Sequence, residues 1–84
     1  MKELSIKEYC LDIGKEGKRW EGSCIDMIPN GFGMLFDKNG KLEYKGCMHD
    51  GKKTCYGEEF YSNGLIQYRG TFMNDKRHGY GCLY

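Results

Sequence analysis

An all-β fold, built of consecutive antiparallel β-hairpins in an elongated, twisted single-layer meander, is predicted for this 84-residue chain by three observations. First, an aromatic–Gly–x–x–aromatic unit recurs every 24 residues, as FGMLF (32–36), YGEEF (56–60) and YGCLY (80–84). A second unit, WEG (20–22), YKG (44–46) and YRG (68–70), keeps the same interval. Self-similarity at a fixed short period marks a repeat architecture, in which each unit buries its apolar face only against its neighbours. Second, the segments between turns alternate with a period of two, as strands do, and none sustains a helical period. Third, thirteen glycines against one proline supply tight turns at regular intervals.

The elements follow in order. A strand over 7–13 contains YCLDI (9–13), an incomplete copy with Cys10 where the other copies carry glycine, and GKEG (14–17) turns the chain. Strand 18–26 carries Trp20 and leads through Met27-Ile28-Pro29-Asn30 into strand 31–37. Asn39-Gly40 turns into strand 42–50, Asp50-Gly51-Lys52-Lys53 into strand 54–61, and Ser62-Asn63-Gly64 into strand 65–75. Asn74-Asp75-Lys76-Arg77-His78 returns the chain into strand 78–84. Residues 1–84 are thus expected to form one domain: a partial repeat over 9–19, then repeats over about 20–43, 44–67 and 68–84, the last incomplete.

Faces follow from the alternation. Leu42, Tyr44, Gly46 and Met48 share one side of their strand, and Tyr56, Glu58 and Phe60 share one side of the next. Grouping the rings on a common face, with Tyr9, Leu11 and Ile13 aligned to Phe32, Met34 and Phe36, places eleven of the twelve aromatics together and leaves Tyr61 pointing away. On this reading Gly22, Gly46 and Gly70 make room for a ring on the aromatic face. Gly33, Gly57 and Gly81 lie on the opposite face and permit twist. Glu58 is the odd member among the rings.

Composition narrows the function. A formal net charge of +1 gives no electrostatic footprint for nucleic acid. Five cysteines, at 10, 24, 47, 55 and 82, form an odd set without CxxC, which points to reduced thiols rather than a disulfide framework or zinc ribbon. Cys47 and His49 share a face that could draw in Cys24 or Cys55 as metal ligands, but the spacing is irregular and no metal is expected. The start MKELSIKEYC lacks the apolar region of a signal peptide, and no apolar run reaches the ~20 residues of a membrane helix. A cytoplasmic protein is expected. His49 and His78 fall in separate repeats, and no nucleophile motif or phosphate-cradling loop accompanies them, so neither catalytic activity nor a cofactor is expected.

The pattern W/Y-x-G, about ten residues, then G-x-G enclosing an aromatic, resembles the MORN repeat (membrane occupation and recognition nexus). Tyr68-Arg69-Gly70 through His78-Gly79-Tyr80-Gly81 is the most similar copy. The first copy keeps Gly31-Phe32-Gly33 but has Met27-Ile28-Pro29-Asn30 where the family carries a polar turn ending in histidine. The middle copy has Thr54 and Cys55 in place of the histidine and first glycine. The resemblance spans residues 9–84 and implies a non-enzymatic array of hairpins, for which protein scaffolding and phospholipid binding are both proposed.

Two functional expectations follow. As a scaffold, the chain would bind a protein partner through an aromatic trough formed by Trp20, Phe32, Tyr44, Tyr56, Phe60, Tyr68, Phe72 and Tyr80, with cytoskeletal association in view. As a peripheral membrane module, it would meet anionic phospholipid headgroups with Lys52, Lys53, Lys76 and Arg77 at neighbouring turn tips. Four such charges, each worth ~1 kcal/mol near an anionic surface, give weak attachment, and Asp50 and Asp75 dilute them. The terminal strand, with nothing after it to pair, predicts either self-association through terminal strands or continuation into further repeats.

Overall fold

The computed structural model describes the backbone of residues 6–7 and 11–12 and all of residues 17–84. The described strands are β1 (Ile6–Lys7), β2 (Leu11–Asp12), β3 (Arg19–Ile25), β4 (Ile28–Phe36), β5 (Leu42–His49), β6 (Lys52–Phe60), β7 (Ile66–Met73) and β8 (Lys76–Leu83). They form one open antiparallel sheet in which β3 through β8 follow chain order, with principal extents of 46 × 29 × 18 Å. The described residues contain no helix. β1 and β2 both pair with β3, and Ile6↔Ile25, Lys7↔Cys24, Leu11↔Trp20 and Asp12↔Arg19 share one register. They occupy the place of the expected first strand. Tyr9, Cys10 and Ile13, which that expectation also covered, lie outside the described residues.

The three hairpin turns on one long edge are tighter than the sequence reading placed them. Each has two central residues with positive φ: Asp26 (51°) and Met27 (68°), Asp50 (53°) and Gly51 (77°), Asn74 (49°) and Asp75 (72°). This is the type I′ arrangement, whose twist matches that of the flanking strands. Ile28, Pro29 and Asn30 therefore belong to β4, Lys52 and Lys53 to β6, and Lys76 to His78 to β8. Successive turns also dock on one another. The Gly51 amide donates to the Pro29 carbonyl, and the Asp75 amide to the Lys53 carbonyl, each at 3.0 Å.

The even-length turns settle how the faces match across a hairpin. Tyr44 stands opposite Glu59 and Gly46 opposite Gly57, so Gly57 and Glu59 share the side of Tyr44. Tyr56 then lies on the other side. Glycine meets glycine in every repeat, as Gly22↔Gly33, Gly46↔Gly57 and Gly70↔Gly81. The expectation that Gly33, Gly57 and Gly81 face away from the rings is thereby corrected, and so is the single aromatic face.

Each glycine pair is the bed of one ring. A β-carbon on Gly57 would stand 2.5 Å from the Tyr44 hydroxyl and 2.6 Å from Cε1, and one on Gly33 would stand 2.6 Å from Trp20 Cζ2. Only glycine at these positions lets the ring lie on the backbone. The polar end of each ring then closes a local bond three residues on. Trp20 Nε1 donates to the Ser23 carbonyl (2.9 Å), the Tyr44 hydroxyl to Cys47 (2.7 Å) and the Tyr68 hydroxyl to Thr71 (3.0 Å). This answers the cost of burying a polar aromatic. Phe72 fits between Tyr44 and Tyr68, meeting both edge to face at 5.3 and 5.2 Å. With Cys24, Leu35 and Met48 these residues make the core.

Candidate functional site

The eight rings predicted as a trough divide between the two sides of the sheet. Trp20 and Tyr44 are 0% exposed, Tyr68 6% and Phe72 4%, so four of them are core. Phe32, Tyr56 and Tyr80 face outward on the opposite side, 60%, 51% and 91% exposed. Phe60 is half-buried at the far end of β6.

The outward rings form a row. They occupy alternate strands, β4, β6 and β8, while Cys47 on β5 and Thr71 on β7 fill the intervening places; Phe32 pairs with Cys47 and Tyr56 with Thr71. With strands ~4.8 Å apart, the rings repeat about every 9.6 Å along the sheet, separated by smaller side chains. Between Tyr56 and Tyr80 lies a depression of ≈ 420 Å³ also lined by Arg69, Gly70, Gly81 and Cys82. Arg69 Nε donates to Glu58 Oε2 at 2.7 Å on this same side. Glu58 is thus not set among the core rings, as expected, but paired on the outer face. Glu58 holds the Arg69 guanidinium above its ordinary pKa.

A bulge fixes where each outward ring sits. After Gly22↔Gly33 the next pair is Cys24↔Pro29, so β4 spends three intervening residues against one on β3. β6 and β8 have the same two-residue excess beside Gly57 and Gly81. Its first residue is left-handed in all three repeats: Gly31 (φ 103°), Cys55 (54°) and Gly79 (78°). The conformation suits glycine and strains a cysteine. The next residue is the exposed ring.

The four basic residues predicted at turn tips also divide. Lys53 Nζ and Arg77 Nε both donate to Glu59, at 2.9 and 2.7 Å, on the core side. Lys53 lies over the Tyr44 ring at 5.2 Å and Arg77 over Tyr68 at 4.7 Å, so both cations close over core rings. Lys52 and Lys76 are exposed at that edge outside this cluster, beside the exposed Asp26, Asp50 and Asp75. Burial works to raise the Glu59 pKa, but hydrogen bonds from Lys53 and Arg77 outweigh it and hold the carboxyl below its ordinary range. Sequence reasoning missed this cluster. Its signal was Glu59 standing 24 residues from both Leu35 and Leu83.

The sequence profile of the MORN repeat matches residues 44–66 and 68–84, and the chain is a MORN-repeat protein. MORN repeats are generally protein- or membrane-interaction modules. Comparison with curated proteins and with solved structures finds no match to this chain.

Proposed function

We propose that the chain is a non-enzymatic protein-interaction scaffold and that its partner lies across the outer face, over Phe32, Tyr56 and Tyr80. The observation that carries this reading is the row of three exposed rings on the side opposite the core. A folded chain gains nothing in stability from rings left in water, and exposed apolar patches of this kind mark partner sites. The ring repeat of about 9.6 Å fits an extended, polyproline-type segment, which advances ~9.3 Å every three residues, better than an α-helix, which advances ~10.8 Å in two turns. Every third side chain of such a segment would enter the gaps at Cys47 and Thr71.

The phospholipid reading stands second, because Lys53 and Arg77 are engaged by Glu59 and leave Lys52 and Lys76 to meet a headgroup. Association between copies through the outer edge of β8, which pairs only with β7 among the described residues, is a further proposal. Light scattering over a concentration series tests it, and an unchanging monomer mass would contradict it.

Peptides selected from a random display library on the wild-type chain provide the test of the docking face. Binding should fall at least tenfold in Tyr56→Ser/Tyr80→Ser and stay within twofold in Lys52→Glu/Lys76→Glu. Equal binding to the ring variant would remove the outer face from the account. Sedimentation with phosphatidylserine vesicles that depends on Lys52 and Lys76 would favour the membrane reading instead.

A further inference from the structure

We propose that Cys47 and Cys55 form a cross-strand dithiol, a modification site that takes disulfide oxidants such as oxidised glutathione and closes to an intramolecular disulfide. The repeat itself supplies the geometry. A β-carbon built on Gly31 would stand 2.9 Å from Ser23 Cβ, and one built on Gly79 would stand 2.9 Å from Thr71 Oγ1. The left-handed bulge residue therefore aims its side chain at the residue that follows the glycine of the preceding strand. In the middle repeat those two places are Cys55 and Cys47. Cys55 is close enough to Cys47 to act on its ionisation. The corresponding β-carbon positions at Gly31 and Ser23 lie 2.9 Å apart, closer than the ~3.5–4.5 Å between the β-carbons of a disulfide, so a bridge at this place needs no approach of the two strands.

The other described thiols are not positioned to compete. Cys24 is buried in the core, on the side of the sheet away from Cys47. Cys82 lies on β8, two strands from Cys55 and three from Cys47, or about 9.6 and 14 Å by strand spacing. Cysteines whose α-carbons are more than ~7 Å apart cannot be bridged without backbone movement.

The two sulfurs differ in a way that assigns their order of reaction. Cys55 is exposed, whereas Cys47 is half-buried, and burial together with the neighbouring Cys55 raises its pKa. The Cys55 thiolate attacks one sulfur of oxidised glutathione. A Cys55–glutathione bond forms, the glutathione disulfide bond breaks, and the first glutathione leaves as thiolate. Cys47, giving up its proton, then attacks the Cys55 sulfur and expels the second glutathione. Two protein thiols and one oxidised glutathione become one protein disulfide and two reduced glutathiones, each departing thiolate taking up a proton released by a cysteine. The product ties β5 to β6 in the gap between Phe32 and Tyr56. The pairing does not depend on the docking role of those rings.

The test uses the full chain equilibrated in reduced and oxidised glutathione mixtures, quenched with N-ethylmaleimide and digested with trypsin. Cleavage after Lys45, Lys52, Lys53 and Arg69 separates peptides 46–52 and 54–69, which hold one cysteine each. The expected oxidised product is these two peptides joined, lighter by two hydrogens than their sum and released by dithiothreitol. In Cys55→Gly, which restores the residue of the other repeats, the joined product should vanish and Cys47 should carry maleimide. Glutathione retained on Cys55 with Cys47 alkylated, a predominant bond to any other cysteine, or a wild-type chain that stays reduced in oxidised glutathione would each overturn the proposal.

Discussion

Tyr44 and Tyr56 stand twelve residues apart in one repeat, each within a short glycine motif, and they meet opposite fates. Tyr44 lies on the Gly46–Gly57 bed with its hydroxyl bonded to Cys47, fully buried; Tyr56 follows the left-handed Cys55 and points into water. The difference teaches that in this array an aromatic becomes core when a cross-strand glycine pair is on its own side. A ring beside such a pair but of opposite parity is presented outward. The same contrast separates Tyr68 from Tyr80 and Trp20 from Phe32.

Substitutions on the two sides should separate widely. Tyr44→Ala empties the ring bed and should cost about 3–5 kcal/mol in urea unfolding, as buried aromatic truncations do. Gly57→Ala puts a methyl where the Tyr44 ring lies and should cost about 1–3 kcal/mol. A cost near zero would mean that the ring does not use this bed.

Glu59 sharpens the contrast, because it is the carboxylate of the core side. Its folded pKa is depressed, so its contribution is present above the unfolded pKa of ~4.3 and is lost as pH falls through the lower folded value. Glu59→Gln should cost roughly 1–2 kcal/mol at neutral pH and flatten the acid limb of a stability–pH profile. Tyr44 acts at the other end. Burial, with the Cys47 thiol next in weight, pushes its phenol far above the ordinary range. Folding therefore loses stability as pH rises above the unfolded phenol's ~10, and Tyr44→Phe should reduce that loss.

Smaller effects belong to the outer side. Cys55→Gly relieves a left-handed cysteine and should stabilise the reduced chain by about 0.5–1 kcal/mol. Tyr56→Ser should change stability by no more than about 0.5 kcal/mol, since the ring is already solvated.

The repeat period, the β class and the order of the strands were legible in the sequence because they rest on spacing alone. The parity between strands is less legible. Alternation sorts Leu42, Tyr44, Gly46 and Met48 within a strand, but the side they share with the next strand depends on the turn. Clustering the rings by type puts Tyr56 with Tyr44, whereas hairpin geometry sets them on opposite sides. A two-residue turn at Asp50-Gly51, a type I′ signature, followed by the two-residue excess of the bulge, keeps the parity even and puts Tyr44 opposite Glu59. The same parity gathers Glu59, Lys53 and Arg77 on the core side and leaves Glu58 with Arg69 on the outer one. The left-handed bulge was partly legible, since glycine at 31 and 79 marks the place; that it aims Cys55 at Cys47 needed the register.

Nitration of the folded chain with tetranitromethane, mapped by mass spectrometry, tests the division of the rings most directly. Tyr56 and Tyr80 should be modified in the folded chain, as should the exposed Tyr84, with Tyr44 and Tyr68 protected until urea unfolds the sheet. Modification of Tyr44 in the folded chain as fast as Tyr56 would contradict the assignment of one side to the core and the other to a partner.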